Sequence, residues 1–417
     1  MENSKYSTKS ETERVFNVFD TFQKDAANTF STSIDGTATS IEPVLTMSCL
    51  GQLGRFGNQL FQYAFLRICA EKSGSRVECP YWIGQTLFGH QHAPISQRLP
   101  PAIEHLDEGE NLFDIIPEFI PYLEKIADAK SYRVGSEALE SGLANVDIWG
   151  FFQFHTRLFA PDKEYFRSLF QPVKELKSPL EDALNILRSQ GKTIVGIHLR
   201  RGDYITEPQL GFTLAFPANW YCEWLNGIWD ELDNPVLFLC SDDLDSILPE
   251  FKKFSPVTWK DLEVNLPESM QNLNIEFYID FFILSNCDIV CNSNSNFSFV
   301  ASMLNERGKL FVRPYWNFST KFQIFDPWNS EPLLWIGDKK TKFFKTFFEI
   351  LYVTYVTQGI IAMFKCIFIY LPKGRLKGWG IRAYLAYKIQ GVIGVLKSFL
   401  YTLGWRFIWK EQGSRYE

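Results

Sequence analysis

Short apolar runs alternate with helically patterned segments in two series along this chain, and this alternation limits the possible folds more than any other feature. The first series opens with a strand predicted at residues 44–50, a glycine loop and a helix that ends near residue 72. The second opens with a strand at 194–199 and closes with one at 309–312. Strands that alternate with helices build a parallel sheet with crossover helices. The sequence therefore predicts an α/β protein with two Rossmann-like halves facing across a cleft.

Two adjacent arginines follow the strand predicted at 194–199. They belong to the motif His-Leu-Arg-Arg-Gly-Asp-Tyr at residues 198–204. Because an unpaired buried charge is costly, we expect Arg200 and Arg201 at the carboxyl edge of the sheet, where open α/β folds bind ligands. Paired guanidiniums there suit a phosphate or a diphosphate. The alternative is a surface turn with a salt bridge.

Four segments resemble, in order, the motifs of glycosyltransferase family 11, the α-1,2-fucosyltransferases. Residues 198–204 resemble the signature His-x-Arg-Arg-Gly-Asp-Tyr. Residues 54–64 resemble Gly-Gly-Leu-Gly-Asn-Gln-Met-Phe-Gln-Tyr-Ala, although Arg55 stands where the pattern has its second glycine. A Ser-Asp-Asp segment at 241–243 and an Asn- and Ser-rich segment at 292–299 complete the set.

The resemblance implies the GT-B fold of a bacterial-type enzyme. Residues 44–185 are then the N-terminal, acceptor-side Rossmann-like domain, and residues 186–335 are the C-terminal domain that binds the nucleotide sugar. It implies an inverting galactoside 2-α-L-fucosyltransferase that uses GDP-fucose as donor and needs no obligatory metal, because arginines replace the cation. The alternatives are a related transferase with a different GDP-sugar or acceptor, and a non-catalytic saccharide-binding protein.

The donor-binding residues are predicted at several places along the chain. Arg200 is expected to clamp the diphosphate, while Arg201 either shares this role or fixes the loop through Asp203. Ser295 and Asn296 precede a predicted helix, whose amino terminus suits an anion, although simple helix capping is the alternative. The full predicted donor-binding set is Gly57, Asn58, Gln59, Arg200, Arg201, Asp242, Asp280, Ser295 and Asn296.

An inverting transfer also needs a base that accepts the proton of the acceptor hydroxyl. The predicted catalytic set is Arg200, Asp203 and His198, with Asp203 and His198 as the candidate bases. A structural or donor-binding role is the alternative for His198. Asp280, on a predicted helix, is expected to read the N–H groups of guanine, and a solvated helix carboxylate is its alternative.

The two ends of the chain differ from its body. Residues 1–43 are polar and rich in Ser and Thr, so we expect a disordered N-terminal extension without a secretory signal. From residue 339 onward there are 14 basic and 3 acidic residues, a formal charge of +11, whereas the rest holds 28 basic and 45 acidic residues, a charge of −17. An acidic body argues against nucleic acid as a partner.

Residues 336–417 combine cations and tryptophans with broken apolar runs. This mixture favours a helical tail that associates with an anionic membrane surface. Helices packed on the protein's own surface are the alternative. The eight cysteines are scattered without a Cys-x-x-Cys pair, which is typical of buried thiols in a reducing compartment. We therefore predict a cytoplasmic enzyme, peripheral at the inner face of the membrane, with a saccharide or glycolipid acceptor.

Overall fold

The computed structural model describes residues 42–105, 132–206, 215–317 and 320–334. All of them belong to one compact unit of the chain. The predicted N-terminal extension, through residue 41, and the predicted membrane-associating tail lie outside the described residues. In the described part of the chain, no helix has both the length and the apolar character needed to cross a bilayer. The division into two domains at residue 185 stays a prediction.

The first half of the chain builds a parallel sheet of five described strands in the order β2-β1-β5-β3-β4. Its strands are β1 (Val44–Thr46), β2 (Arg76–Glu78), β3 (Pro101–Glu104), β4 (Tyr132–Val134) and β5 (Val146–Trp149). The first strand is shorter than predicted because turns begin at Ser48.

The second half builds another sheet of five described strands, in the order β10-β9-β8-β6-β7. Strands β6 to β9 run parallel, and β10 pairs antiparallel with β9. Its strands are β6 (Thr193–Leu199), β7 (Pro235–Ser241), β8 (Ile289–Cys291), β9 (Leu310–Asn317) and β10 (Thr320–Ile324). Both β6 and β7 are buried along most of their length, which explains their nearly continuous apolar sequences.

Helices connect the strands of both sheets. The α-helices are α1 (Phe56–Ser73), α2 (Ile83–Phe88), α3 (Ala138–Ser141), α4 (Lys163–Ser168), α5 (Lys174–Ser189), α6 (Gly202–Thr206), α7 (Ala218–Ile228), α8 (Leu244–Phe251), α9 (Glu276–Leu284) and α10 (Asn296–Leu304). Short 3₁₀ segments lie at Thr156–Leu158, Ala160–Asp162, Trp229–Glu231, Lys252–Phe254, Trp259–Leu262 and Glu268–Met270.

Strand order places a topological switch point in each sheet. In the first sheet, β1 has β2 on one side and β5 on the other, and in the second sheet β6 lies between β7 and β8. Ligands of open α/β sheets bind beyond the carboxyl ends of the strands at such points. The loops after β1 and β5, and those after β6 and β8, therefore define where a ligand is expected.

The two halves share one apolar core, and Phe56 is a central part of it. Its ring, at the start of α1, contacts the rings of Phe277, Tyr278 and Phe281 on α9 at centroid distances of 5.0, 6.1 and 5.2 Å. The ring of Phe297 on α10 lies 6.5 Å away. The first helix of one half is thus packed into aromatic side chains of the other, which holds the two carboxyl edges against each other.

The predicted α/β fold with two Rossmann-like halves, the GT-B arrangement, is confirmed. The sequence pattern did not predict β3 and β4, because both strands are short and contain polar residues. Strand β3 has only four residues, begins with a proline and contains a glutamate, and β4 has three residues, one of which is an arginine. The sequence pattern predicts a helix over residues 181–189, whereas α5 begins at Lys174 and continues through Pro179. A proline removes one helical hydrogen bond, which is why the sequence pattern favoured a later start.

Candidate active site

The amino termini of α1 and α10 meet between the two sheets. A Cβ placed on Gly57 would lie 2.5 Å from the backbone nitrogen of Phe297 and 2.6 Å from the carbonyl carbon of Asn296. Only glycine allows this approach, because backbone atoms cannot move aside as a side chain can. Asn58 completes the junction, since its Oδ1 accepts a hydrogen bond of 2.6 Å from Asn296 Nδ2.

Side-chain amides shape the loop that precedes α1. Gln59 Nε2 donates to the carbonyl of Gly54 at 3.1 Å, and Gln62 Nε2 donates to the carbonyl of Leu53 at 3.1 Å. Gln62 Nε2 also donates to the carbonyl of Gly150 at 2.9 Å, which ties the loop after β1 to the loop after β5. The predicted residues Gly57, Asn58 and Gln59 therefore lie at the first switch point, where Gln59 holds the loop and the other two contact the opposite half.

Ser295 and Asn296 lie at the start of α10. Ser295 is the N-cap residue, and its Oγ accepts a hydrogen bond from the backbone N–H of Phe297 at 3.3 Å. Helix α10 directs its amino terminus to the second switch point, where its partial positive charge favours an anion. The capping expected as the alternative is present at Ser295, and anion binding at this helix end stays a prediction.

Arg200 is held between two carboxylates just beyond the end of β6. Its Nη2 lies 2.5 Å from Asp203 Oδ1, and its Nη1 lies 2.7 Å from Asp242 Oδ2. Its guanidinium also lies over the ring of Tyr204, 5.3 Å from the centroid, and the Tyr204 hydroxyl donates to the carbonyl of Asn294. With only 13% of its side chain exposed, Arg200 is oriented by its neighbours before any ligand contact.

The Arg201 side chain pairs with a different carboxylate from those of Arg200, which agrees with the alternation of side chains at a strand end. Its Nε lies 3.7 Å from Asp243 Oδ2, and its backbone N–H donates to Asp242 Oδ1 at 2.8 Å. The predicted alternative that Arg201 pairs with Asp203 is wrong. Asp203 pairs with Arg200 because the turn into α6 brings it back over the strand end.

His198 is buried within the second half. Its Nδ1 lies 2.8 Å from Ser293 Oγ, and its ring lies 5.1 Å from that of Phe297. Burial, and next the charge of Arg200, lowers the pKa of His198 to about 3, so the ring is neutral at ordinary pH. His198 thus links β6 to the loop that leads into α10.

Asp280 on α9 is a buried carboxyl group without an obvious partner. Among the described residues, none forms a hydrogen bond with its Oδ1, and burial raises its pKa well above the ordinary value. It lies near Cys240, whose thiol pKa is raised by burial and next by Asp280. Cys240 is paired with His198 in the β6–β7 register, so Asp280 lies beside the carboxyl end of the second sheet.

Several residues of this site were not predicted from the sequence. Arg55 Nη2 lies 3.3 Å from Asp203 Oδ2, across the junction between the halves. Gln153, after β5, donates from Nε2 to Asn58 Oδ1 at 3.0 Å. Its neighbours in the loop are held by Glu104, since the Phe151 N–H donates to Glu104 Oε2 at 2.7 Å. For Arg55 the departure from the family pattern was a signal, whereas Gln153 and Glu104 lie outside every motif.

Within residues 42–105, 132–206, 215–317 and 320–334, no three His, Cys, Asp or Glu side chains are placed so that they could share a metal ion. Asp242 and Asp243 are adjacent but face different arginines.

Two Rossmann-like sheets with cations and a helix amino terminus at their facing carboxyl edges define a glycosyltransferase of the GT-B type. The chain belongs to glycosyl transferase family 11, whose sequence model matches residues 45–329. This match covers more than half of the chain and contains all four motifs.

Two curated relatives from Escherichia coli show what similar chains do. An alpha-1,2-colitosyltransferase is 23% identical over 297 residues, which is 66% of this chain and 93% of that protein. The O-antigen biosynthesis glycosyltransferase WbnK is 25% identical over 299 residues, 64% of this chain and 93% of that protein.

Solved structures of fucosyltransferases resemble this chain at low identity. NodZ alpha-1,6-fucosyltransferase soaked with GDP-fucose is 14% identical, with a TM-score of 0.41, over 68% of this chain and 99% of that one. A NodZ structure from Bradyrhizobium has a TM-score of 0.42 and 14% identity over 69% of this chain and all of that one. A mutant of Arabidopsis thaliana FUT1 in complex with GDP has a TM-score of 0.39 and 13% identity, over 71% and 75% of the two chains.

Proposed function

We propose that this glycosyltransferase moves L-fucose from GDP-fucose to the 2-hydroxyl of a galactoside, with inversion at the anomeric carbon. The observation that carries the proposal is the position of Arg200. It is held by Asp203 and Asp242, stacked on Tyr204, and lies at the switch point next to the loop that leads into α10. The family membership supports the same reaction.

The departing group in such a transfer is a nucleoside diphosphate, and its oxygens gain negative charge as the sugar bond breaks. Donors that are fixed in advance and aimed at this charge lower the barrier. Arg200 supplies a guanidinium, and the first turn of α10 supplies backbone N–H groups next to Ser295. Because Arg200 is oriented by its neighbours, little reorganisation is needed when the donor binds.

Asp280 suits the recognition of guanine. A buried carboxylate that lacks a partner costs free energy, and the N–H groups of guanine offer two donors that would satisfy it. Adenine presents an acceptor where guanine presents one of these donors, so Asp280 would select the base. Binding guanine would also stabilise the ionised form and lower the raised pKa of Asp280.

Asp203 is the better placed of the two candidate bases. Its side chain is 36% exposed and lies at the junction of the halves, where an acceptor hydroxyl could approach. His198 is buried and occupied by Ser293, so we assign it a positioning role for the loop before α10. Transfer without an obligatory metal is part of the proposal, with Arg200 and Arg201 in place of the cation.

The proposal includes the cellular setting expected from the sequence. The enzyme would act in the cytoplasm, at the inner face of the membrane, with residues 336–417 bound to the anionic surface. Its galactoside acceptor would be a saccharide or a glycolipid. Liposome flotation of the full chain tests this part, and equal binding by a chain that stops before residue 339 would contradict it.

A related donor is the second candidate, because one relative is named a colitosyltransferase. The full chain is incubated with GDP-fucose, GDP-mannose, a GDP-colitose donor or UDP-galactose and a galactoside panel, with or without EDTA. We expect GDP release and a 2-linked fucosyl product, both unaffected by EDTA. Turnover limited to the colitosyl donor would favour the second candidate, and preference for the UDP-sugar would contradict both. Saccharide binding without release of nucleotide from any donor would favour the non-catalytic alternative.

Base recognition is tested by measuring the binding of GDP and ADP to Asp280→Asn. An asparagine replaces one acceptor oxygen by a donor, so we expect the affinity for GDP to fall about 10- to 100-fold while binding of ADP does not. Arg133, which lies on the edge strand β4, offers a control substitution away from the site. An unchanged preference for GDP over ADP in Asp280→Asn would contradict the role of Asp280.

A further inference from the structure

Two guanidiniums from different halves of the protein converge on one carboxylate. Arg200 Nη2 lies 2.5 Å from Asp203 Oδ1, and Arg55 Nη2 lies 3.3 Å from Asp203 Oδ2. Arg200 follows β6 of the second sheet, whereas Arg55 immediately precedes α1 of the first half. The Asp203 carboxylate therefore marks a point that both halves supply with positive charge.

The backbone around this point is also suited to an anion. Arg55 is the N-cap residue of the 18-residue helix α1, and Ser295 is the N-cap residue of the 9-residue helix α10. The two helix starts touch at Gly57 and Phe297. The partial positive charges of two helix amino termini thus lie beside the two guanidiniums.

The two arginines differ in how firmly they are held. Arg200 has 13% of its side chain exposed, is paired with two carboxylates and stacks on Tyr204. Arg55 has 63% of its side chain exposed, and its partner Asp203 is 36% exposed. An exposed ion pair between flexible side chains contributes little to stability, so Arg55 can exchange its partner at small cost.

A diphosphate competes well with a single carboxylate for such an arginine. It carries more charge and more acceptor oxygens, and guanidiniums bind phosphates through paired N–H groups. The three arginines and three aspartates around this point have a formal net charge of zero. They are Arg55, Arg200, Arg201, Asp203, Asp242 and Asp243. A dianion that only joined this set would gain little attraction, whereas one that replaces Asp203 as the partner of Arg55 pairs directly with that guanidinium.

We propose that Arg55 is a second diphosphate-binding residue, which leaves Asp203 and grips the phosphates of the donor from the opposite half. This inference rests on the proposed function, because it takes the donor to be a nucleoside diphosphate sugar. Released from Arg55, Oδ2 of Asp203 can accept the proton of the acceptor hydroxyl, while Oδ1 keeps its pair with Arg200. Donor binding and base activation are then coupled through one exchange of ion-pair partners.

Isothermal titration of the full chain with GDP and with guanosine tests this role. We expect Arg55→Ala to weaken GDP binding about 10-fold or more and to leave guanosine binding unchanged, because guanosine lacks phosphates. Arg55→Lys retains the charge and should recover part of the affinity. Lys192→Ala is the matched control, since Lys192 forms an exposed pair with Asp233 at 3.0 Å near the amino end of β6.

The outcomes separate this inference from the proposed function. Equal GDP affinity in Arg55→Ala and the wild-type protein, or an equal loss for GDP and guanosine, would overturn the role of Arg55 alone. Failure of the wild-type protein to bind GDP would overturn the proposed function, and the inference with it. A lower salt dependence of GDP binding in Arg55→Ala is the further expected result, because one phosphate contact is lost.

Discussion

Both sheets present acidic residues near their carboxyl edges, but these residues have different partners. In the first half, Glu104 accepts from the backbone N–H groups of Phe151 and Phe152, with the Phe151 donor 2.7 Å away. Asp147 accepts from the Ser48 backbone N–H at 2.9 Å. In the second half, both carboxylates share a long side chain as a partner. Asp203 and Asp242 each pair with the guanidinium of Arg200, and Asp242 also accepts from the Arg201 backbone N–H.

This difference in partners separates carboxylates that support a loop from carboxylates that orient a ligand-binding arginine. A carboxylate that accepts from backbone N–H groups fixes the course of a loop and cannot change partners without unfolding it. A carboxylate that pairs with an arginine side chain holds a cation in place and can yield to a ligand of higher charge. We therefore expect substitutions in the first set to change stability and those in the second set to change donor binding.

The largest effect is expected from Arg200→Ala. Loss of a fixed donor to a developing charge costs about 3–4 kcal/mol, so kcat/KM for the donor should fall roughly 100- to 1000-fold. The circular dichroism spectrum and the Tm should stay close to those of the wild type. Lys192→Ala is the control for loss of a surface cation. Normal transfer by Arg200→Ala would show that the second half does not bind the donor through this residue.

Glu104→Gln should change the pH dependence of stability instead. Burial raises the pKa of Glu104 from 4.5 to about 7, against the opposing effect of the Phe151 and Phe152 N–H groups. Because the folded pKa exceeds the unfolded one, this carboxyl contributes stability below about pH 4.5 that is lost as the pH rises through about 7. A shift of this size corresponds to about 3 kcal/mol.

Gln at position 104 cannot ionise but can still accept from the backbone. Denaturant unfolding between pH 4.5 and 8 should therefore show a flatter stability profile in Glu104→Gln, with GDP binding retained. Glu137→Gln provides a comparison for an acidic residue of the first half outside this loop. A profile identical to that of the wild type would contradict the supporting role of Glu104.

Gly57→Ala should affect both properties, because Gly57 lies where the halves touch. The added methyl group would lie 2.5 Å from the Phe297 nitrogen, so the helices must separate. Such overpacking costs about 1–3 kcal/mol, and we expect a lower Tm together with weaker GDP binding. Gly227→Ala is the matched control, since a Cβ at that helical glycine would have no described atom within 4 Å apart from its chain neighbours and the backbone of its own helix. Unchanged stability and binding in Gly57→Ala would show that the helix starts need not touch.

Ser295→Ala should have the smallest effect. Loss of the N-cap bond to the Phe297 N–H costs about 1 kcal/mol of stability. If the helix start also binds phosphate, GDP affinity should fall several-fold beyond what the lower stability explains. Ser189→Ala removes an exposed hydroxyl that bonds to the Ile186 carbonyl and is the control. A loss of stability without any loss of GDP affinity would restrict Ser295 to capping.

The sequence predicted the residues of the second switch point well. Charged residues follow one buried strand, and Asn and Ser residues follow another strand and precede a helix. Because both segments come directly after strands, their local sequence alone places them at the same sheet edge. It did not predict the partners of Asp203, because the pair with Arg200 depends on the turn into α6 and the pair with Arg55 depends on how the halves pack. It also missed Glu104, since nothing in a short strand that begins with Pro101 indicates a fully buried carboxyl group.

The most direct test of the account is a crystal structure of the protein with GDP. Its central claim is that cationic side chains and the start of α10 bind the diphosphate between the two halves. The account predicts phosphate oxygens within hydrogen-bond distance of Arg200 and of the N–H groups at the start of α10, with guanine next to Asp280. A nucleotide bound away from both Arg200 and α10 would contradict it.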